Sequence, residues 1–494
     1  MLDRCRRPWQ LQRDESHGRT ACGSVIPTYY YKEPGGVMHC RTADTNGQVA
    51  KAHARQCAGT KSVSRCVPRD QTSVGKTDSS TACLTATLLL VCVMLTTRAT
   101  ADWPQFRGPD GQGHSSLEGI PLHWSEDKSV AWKTPIPGEG WSSPVIWGSQ
   151  IWLTSASEQG KSLHAICVDR GSGKLVHNIQ VLQPTDVGSR HPLNGYASPT
   201  PVLDGERVFV HFGARGTVCL DTAGRVVWKN TSLPFSAPQG AASSPILHGD
   251  LLILLCDGTD TQSVVALDKH TGKIVWKQAR QHLERARAKN PIFQMAYSTP
   301  LVQEIDGQPQ LVATCADHVA SYDVSTGREL WWMPYEGCSM VGRPSYGNGM
   351  FYVLGAIKLD HHAVYAVRPG QGQLQGEQIA WENSVGIPHV PSPLLLGKEL
   401  LVVKDNGTAT CLDALTGKVI WKKRLGGNYR ASPIQVRDRI YVCSEEGKTL
   451  VLASGREHRV LATSQLEGRF YASPAVAGRA LFLRSDTHLY RIED

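Results

Sequence analysis

The most informative stretch of the chain is Leu267-Asp268-Lys269-His270-Thr271-Gly272-Lys273-Ile274-Val275-Trp276, because copies of it recur. Copies lie at 322–331, 412–421 and, one residue shorter, 220–228, with weaker ones at 168–177 and 452–462. The Asp side chain can bond its own backbone and the Gly can adopt a positive φ, so Asp-x-x-Thr-Gly-Lys predicts a tight turn. The residues after it predict a strand that ends in Trp.

A second element recurs in step with the first, a Ser-Pro step or a variant followed by apolar residues. It appears eight times, 40 to 55 residues apart: Ser143-Pro144, Ser198-Pro199, Ser244-Pro245, Thr299-Pro300, Arg343-Pro344, Ser392-Pro393, Ser432-Pro433 and Ser473-Pro474. Pro is tolerated at the start of a strand, where its missing N–H costs little. Four short strands in a repeat of this length predict one blade of a β-propeller.

The two ends of the repeated region complement one another. The last unit, 473–492, predicts three strands without a Trp strand, whereas the region begins with an isolated Trp strand, Ser129–Thr134 around Trp132. Pairing these ends would close the ring and remove its exposed edges. We therefore predict an all-β, eight-bladed propeller of four-stranded antiparallel blades over 102–494, closed by the N-terminal Trp strand.

The Ser-Pro, Leu-Asp-x-x-Thr-Gly-Lys and Trp pattern resembles the repeat of the pyrroloquinoline-quinone (PQQ)-like propeller family, from about Trp103 to Asp494. The opening Asp102-Trp103-Pro104-Gln105-Phe106-Arg107-Gly108-Pro109 resembles the start of secreted, planctomycete-type members. Blade 5 departs from the pattern, since Tyr365–Trp381 carries Gly370–Gly376 in place of the Asp-x-x-Thr-Gly turn. That glycine-rich stretch does not match a dinucleotide fingerprint.

The residues before the propeller carry a secretion signal. The apolar run Ala82–Leu95 follows Lys76 and precedes Ala99-Thr100-Ala101, so 74–101 predicts a signal peptide. Cleavage would leave a periplasmic or secreted protein without a transmembrane span, and the alternative is an N-terminal membrane anchor. Residues 1–73 show no periodicity, and we interpret them as an unstructured or mis-annotated extension.

Charge and cysteine usage narrow the possible partners. Residues 1–101 hold 14 Lys/Arg and 7 Asp/Glu, whereas the remaining residues hold 38 and 37. The near-neutral propeller gives no reason to expect nucleic acid as a partner. Seven cysteines follow residue 101 without a Cys-x-x-Cys pair. Cys167, Cys219 and Cys411 share one repeat position, and we expect buried thiols there.

The resemblance implies three classes of function: quinoprotein dehydrogenases, scaffold propellers such as the outer-membrane assembly lipoprotein, and sensor propellers fused to kinases. The kinase motifs are absent from this sequence. The dehydrogenases bind the quinone with calcium, and many carry two adjacent cysteines, which this chain lacks. We therefore expect a monomeric, non-catalytic binding or scaffold module without a cofactor. The alternative is a PQQ-dependent alcohol or sugar dehydrogenase with PQQ and calcium.

Candidate binding residues precede the Ser-Pro steps, where each chain segment enters an innermost strand. Three positions before each Pro, the residues are Trp141, Tyr196, Ala242, Tyr297, Val341, Val390, Arg430 and Tyr471. Polar neighbours are His191, Asn194, Gln294, Arg343, His389, Asn428 and Arg469. Aromatic faces with Arg and amides at a channel mouth suit a protein, peptide or glycan ligand, or a planar cofactor. The alternative is inner-strand packing with a rim that touches only water.

Two long loops, Leu182–Ala197 and Lys277–Tyr297, should enter the same rim. Within the second, Gln278–Lys289 contains good helix formers and is basic. It predicts a helix over the channel that attracts an anionic ligand or is simply solvated. Asp360-His361-His362 lacks partner spacing, and we expect a solvated loop there rather than a metal site.

Overall fold

The protein is an eight-bladed β-propeller with almost no helix, which confirms the predicted fold class. The computed structural model describes residues 102–288, 290–358 and 361–494. The predicted extension 1–73 and signal peptide 74–101 lie outside the described residues. Within these ranges, the helical segments are one α-helical turn, Glu284–Arg287, and four 3₁₀ turns, Glu158–Gly160, Gly213–Arg215, Pro291–Gln294 and Gly376–Gln378. None of the helices in the described ranges has the length and apolar character that a membrane crossing needs.

Each blade is a four-stranded antiparallel sheet whose strands run from the channel outward. Those of blades 1 to 3 are Val145–Trp147, Gln150–Ser157, Ser162–Asp169, Leu175–Leu182; Val202–Leu203, Arg207–His211, Thr217–Asp221, Val226–Asn230; Ile246–His248, Leu251–Asp257, Gln262–Asp268, Ile274–Ala279. Those of blades 4 to 6 are Leu301–Ile305, Gln308–Thr314, His318–Asp323, Glu329–Pro334; Ser345–Gly347, Met350–Lys358, His361–Val367, Ile379–Asn383; Leu394–Leu396, Glu399–Val403, Thr408–Asp413, Val419–Arg424. Those of blades 7 and 8 are Ile434–Val436, Arg439–Cys443, Lys448–Ala453, Val460–Gln465; Ala475–Ala477, Ala480–Arg484, His488–Ile492, Val130–Pro135.

Ring closure occurs as the sequence predicts. The strand Val130–Pro135 pairs antiparallel with His488–Ile492, and Trp132 lies opposite Arg491. The N-terminal strand is therefore the outermost strand of blade 8. The apolar core lies between neighbouring blades, as in the cluster where Phe209 of blade 2 packs with Leu252 and Val265 of blade 3.

At several junctions, the recurring tryptophan of one blade contacts the recurring turn of the next blade. Asp268 Oδ1 accepts hydrogen bonds from the backbone N–H and the hydroxyl of Thr271, at 2.7 and 2.8 Å. This holds Gly272 at a φ of +70°, directly against the indole of Trp228 from blade 2. The Trp228 Nε1 donates to the Lys269 carbonyl in the same turn, at 2.9 Å. The recurring turn of one blade and the recurring tryptophan of the preceding blade therefore form a single contact.

The same contact recurs at three further blade junctions. The tryptophan Nε1 atoms donate to turn carbonyls of the following blade at 2.9 to 3.1 Å: Trp132 to Arg170, Trp276 to Val324 and Trp381 to Ala414. The first of these pairs crosses the closure between blade 8 and blade 1. The joint between the chain ends therefore uses the same chemistry as the joints within the chain.

The irregular blade 5 segment covers an edge of its neighbour. Because blade 5 lacks the turn, Trp331 of blade 4 bonds Gln310 in its own blade, at 2.9 Å. The glycine-rich stretch contributes a two-residue strand, Gly372–Gln373, that pairs in parallel with Glu329–Pro334. Leu374 is buried beside it. The segment therefore extends blade 4 to five strands and protects its outer edge.

The predicted buried thiols are confirmed. Cys167, Cys219 and Cys411 lie on the third strands of blades 1, 2 and 6, and all three side chains are buried. Burial raises the pKa of each thiol to about 12. They are packing residues of the inter-blade core rather than nucleophiles.

Substitution of Gly272 tests the blade-to-blade contact. A Cβ at Gly272 would lie 2.5 Å from the Trp228 ring, whereas a Cβ at Gly249, also in blade 3 at positive φ, meets nothing within 4 Å. We expect Gly249→Ala to cost about 1 kcal/mol from the unfavourable φ alone. Gly272→Ala should cost roughly 1–3 kcal/mol more through overpacking. Urea unfolding of both variants measures the difference, and equal midpoints would contradict the contact.

Candidate functional site

A ring of hydroxyl groups lines the start of the innermost strands. At each of seven junctions, the backbone N–H of one ring residue donates to its neighbour in the next blade. The acceptors are side-chain oxygens, at 2.9 to 3.0 Å: Ser143, Thr200, Ser244, Thr299, Ser392, Ser432 and Ser473. Blade 5 supplies Arg343, which donates its N–H to Ser392 but has no hydroxyl to offer Thr299.

This ring corrects the predicted register of blade 2. The ring residue is Thr200, which precedes Pro201, and not Ser198. The prediction took the first of two consecutive Xaa-Pro steps. The sequence held the distinguishing signal, since Thr200-Pro201 is followed directly by the apolar strand Val202–Leu203, as Ser143-Pro144 is followed by Val145. The residue at the channel mouth is therefore Ser198, in place of Tyr196.

Above the hydroxyl ring lies a cavity of about 360 Å³ on the propeller axis. All eight blades contribute the residue two positions before the ring: Trp141, Ser198, Ala242, Tyr297, Val341, Val390, Arg430 and Tyr471. Apart from Ala242, Val341 and Val390, the sequence predicts twelve aromatic, polar or charged binding residues, and seven of them line the cavity: Trp141, His191, Asn194, Tyr297, His389, Arg430 and Tyr471. The predicted convergence of separate blades on one mouth is therefore present in the structure.

The other five predicted residues do not line the cavity. Tyr196 packs under the guanidinium groups of Arg190 and Arg215, whose carbons lie 5.2 and 5.1 Å from its ring centre. Gln294 accepts a bond from Gln262, Arg469 pairs with Asp486, and Asn428 bonds Glu446. Arg343 is fully buried behind the cavity floor.

One wall of the cavity is aromatic and carries an ion-paired arginine. The rings of Trp141 and Tyr471 lie 4.3 Å apart between centres, and the Tyr471 hydroxyl donates to Glu445 at 2.6 Å. Arg430 lies 3.1 Å from an Asp405 oxygen and 3.8 Å from a Glu445 oxygen. The guanidinium charge of Arg430 at the cavity wall is therefore compensated by two carboxylates beside it.

Histidine and amide groups form further parts of the mouth. The His389 ring lies 5.0 Å from the His362 ring, and its backbone N–H donates to Asp405 at 2.7 Å. Burial lowers the pKa of His389, which favours the neutral ring. Tyr297 donates its hydroxyl to the Gln239 side chain at 2.8 Å. These groups offer donors and acceptors to a polar ligand without adding net charge.

The opening motif of the described chain closes the far end of the channel, a role the sequence did not reveal. Phe106 forms part of the cavity lining. Around it, the segment 103–115 bonds innermost strands on several sides: Trp103 to Ile146, Pro104 to Leu203, Gln112 to Tyr346, and Gly113 to Gln435. His114–Ser115 then pairs in parallel with Ile434–Val436. The cavity is therefore a blind funnel and not a through-channel.

The family follows from comparison with known proteins. The family model described as outer membrane protein assembly factor BamB matches residues 165–337 and 360–485, more than half of the chain. The chain belongs to this family. The protein of that name from Bordetella pertussis is 23% identical over 365 residues, 70% of this chain and 84% of that protein. The one from Shewanella oneidensis is 25% identical over 260 residues, 52% of this chain and 60% of that protein.

Solved structures show the same fold in proteins with different names. BamB from Moraxella catarrhalis is 13% identical with a TM-score of 0.51, over 74% of this chain and 99% of that one. Quinohemoprotein alcohol dehydrogenase from Comamonas testosteroni is 10% identical with a TM-score of 0.56, over 80% of each chain. At these identities the likeness concerns the fold alone. Function has to be argued from the site.

The donor groups at the cavity do not fit a calcium-bound quinone. Calcium takes six to eight oxygen ligands, several of them carboxylates. Within the described ranges, no group of three or more His, Cys, Asp or Glu side chains is arranged to hold a metal ion. Asp405 and Glu445, the carboxylates at the cavity wall, both lie against Arg430. Asp360, part of the Asp-His-His stretch, lies outside the described residues.

The two long loops differ from one another in their relation to the cavity. The first reaches it through His191, Leu193 and Asn194, as predicted. The predicted basic helix over 278–289 is wrong: the preceding strand continues to Ala279, and only Glu284–Arg287 is helical. Leu283 and Ala286 are buried against Cys315 and Ala316 of blade 4, so the turn packs onto that blade.

Arg280, one of the arginines of the second loop, forms a buried ion pair and does not contribute a surface charge. Arg280 binds Asp257 through two nitrogens, at 2.7 and 3.0 Å, and both side chains are fully buried. Asp257 raises the pKa of Arg280, although burial opposes this. The charge pattern that suggested an anion-attracting cap therefore includes a residue that solvent does not reach.

Removing one member of this pair should be strongly destabilising. Asp257→Asn would leave the Arg280 guanidinium buried without a counter-charge, for which we expect a loss of about 3–5 kcal/mol. The matched control is Asp250→Asn in the same blade, whose exposed carboxylate pairs with Lys269 and His270. We expect the control to shift the urea unfolding midpoint little. Comparable shifts in the two variants would contradict the assignment.

Proposed function

We propose that the protein is an exported, non-catalytic binding propeller of the periplasm or the exterior, and that it holds a segment of a partner protein in its axial funnel. The observation that carries the proposal is the convergence of residues from all eight blades on one cavity that is closed at its far end. The names of the relatives, which describe an outer-membrane assembly factor, support a role in protein binding.

The chemistry of the cavity supports a polypeptide ligand. Trp141 and Tyr471 offer a large apolar surface, and aromatic residues dominate the energetics of interfaces. Gln239 and the ring hydroxyls offer hydrogen-bonding groups to a peptide backbone. A cavity of about 360 Å³ is at the small end of ligand sites, so it suits a short segment rather than a folded element.

Site-specific photocrosslinking tests this proposal. We expect a photoreactive amino acid in place of Val390, which lines the cavity, to give defined adducts with a partner protein in the native compartment. The matched control is Leu415, which is exposed and does not line the cavity. Trp141→Ala in the Val390 background should reduce the adduct at least tenfold, because the aromatic wall is lost. Adducts of equal intensity from both positions would refute binding in the funnel.

The quinoprotein alternative has a direct test of its own. Calorimetric titration of the purified protein with PQQ and calcium should give no binding up to high micromolar concentrations. Dye-linked oxidation of alcohols and sugars should stay at the level of a protein-free blank. Saturable binding with a rise in melting temperature and turnover would instead establish an oxidoreductase and overturn the scaffold proposal.

A further inference from the structure

The closed end of the funnel presents hydrogen-bond donors that the protein leaves unused. The hydroxyl oxygens of Ser143, Thr200, Ser244, Thr299 and Ser473 each accept a backbone N–H, and all five residues line the cavity. Among the described residues, none of these five hydroxyl protons has an acceptor within hydrogen-bond distance. A hydroxyl keeps one donor after it has accepted a bond. The floor therefore presents a ring of O–H donors to whatever enters the cavity.

A second and independent feature lies immediately behind this floor. Arg343 occupies the ring position of blade 5, and its guanidinium donates to the carbonyl of Phe106, the floor residue, at 2.8 Å. Arg107 donates to the carbonyl of Pro393 at 3.0 Å. Both side chains are at most 2% exposed. One nitrogen of each, Nη1 of Arg107 and Nε of Arg343, is buried without a hydrogen-bond partner in the described structure.

These two guanidinium groups have little compensating negative charge. Burial and their mutual repulsion lower the pKa of Arg343 to about 9, and burial lowers that of Arg107 to about 10. Asp110 is the carboxylate that interacts with both, and it is already engaged by His114 at 2.7 Å and by the Gln112 N–H at 2.8 Å. Burying like charges together is unfavourable unless a counter-charge is near.

The two ends of the funnel differ in charge. At the mouth, the charge of Arg430 is compensated by Asp405 and Glu445. At the floor, the donor ring and the two buried arginines favour an anion. The aromatic pair Trp141 and Tyr471 forms the wall, so an apolar group is accommodated beside the axis.

We propose that the closed end of the funnel is a carboxylate site, and that the bound segment enters the cavity with its carboxyl terminus leading. This inference rests on the proposed function, and it identifies the chemistry of the segment. A blind cavity admits a chain end more readily than a continuous strand, which would have to enter and leave by the same opening. The terminal carboxylate then accepts from the ring hydroxyls, and the side chain before it packs on the aromatic wall.

A pair of small probes tests the charge requirement on the unaltered protein. N-acetylphenylalanine and its carboxamide have nearly the same shape and differ in the charge of the terminal group. We expect calorimetry to show that the carboxylate binds at least tenfold more tightly than the carboxamide. Equal affinities overturn the carboxylate site. Sodium chloride and sodium phosphate form separate arms, and an inorganic anion that binds more tightly than N-acetylphenylalanine overturns the assignment to a carboxylate.

Arg343→Ser tests the contribution of the buried charge. It supplies the hydroxyl that seven other blades carry at this position and removes the guanidinium behind the floor. We expect about a tenfold loss in affinity for N-acetylphenylalanine and no change for the carboxamide. Arg225→Ser removes an exposed arginine of blade 2 and should alter neither affinity. A folded Arg343→Ser protein, judged by its circular dichroism, that retains wild-type affinity for the carboxylate overturns the inference.

The outcomes separate this inference from the function on which it rests. Crosslinking from position 390 together with equal binding of the two probes would retain a binding propeller and overturn carboxyl-end recognition. N-acetylaspartate methylamide, whose carboxylate is on a side chain, provides the final comparison. If it binds as tightly as N-acetylphenylalanine, the requirement for a leading chain end is overturned.

Discussion

Four outer-strand tryptophans, those of blades 2, 3, 5 and 8, pack their indoles against a glycine at positive φ in the next blade. The Asp-x-x-Thr-Gly turn creates that conformation, and the glycine leaves room for the indole of the preceding blade, as at Gly272 and Trp228. The contact fixes the distance and the angle between neighbouring blades, because the indole also donates to a carbonyl of the same turn. It occurs at four of the eight blade junctions, where it constrains the angle between blades and therefore the closure of the ring.

The closing contact between Trp132 and the first blade ties this geometry to the chain ends. Residues before the N-terminal strand lie at the axis, where carbonyl and amide groups of the segment 103–115 bond several innermost strands. Closing the ring and closing the channel are thus successive results of one chain path, and the blind funnel follows from both.

The repeat made most of the fold predictable, since eight copies of one pattern leave few architectures possible. The closing strand was predictable because the last unit lacks a Trp strand, whereas the repeated region begins with an isolated one around Trp132. Most of the predictable site follows the repeat: positions before the Ser-Pro steps gave Trp141, Tyr297, Arg430 and Tyr471, and residues near these positions gave His191, Asn194 and His389. The predicted register of blade 2 was wrong because two Xaa-Pro steps, Ser198-Pro199 and Thr200-Pro201, are adjacent in the sequence. Choosing the first step placed Tyr196 at the mouth of the cavity. Phe106 could not be found in this way, because its position depends on a path outside the repeat.

Arg343 shows how a departure from a repeat carries information that the repeat lacks. A serine at this position would complete the ring of N–H to hydroxyl bonds, and the arginine interrupts it between blades 4 and 5. The Arg343 guanidinium instead donates to the Phe106 carbonyl and lies over Gly111, where an added Cβ would be 2.4 Å from it. It therefore anchors the segment 103–115, which closes the channel. A neutral side chain could bond a carbonyl equally well, without a buried charge. Anchoring the segment 103–115 therefore does not by itself account for an arginine at this position, whereas a negatively charged ligand at the floor of the cavity does.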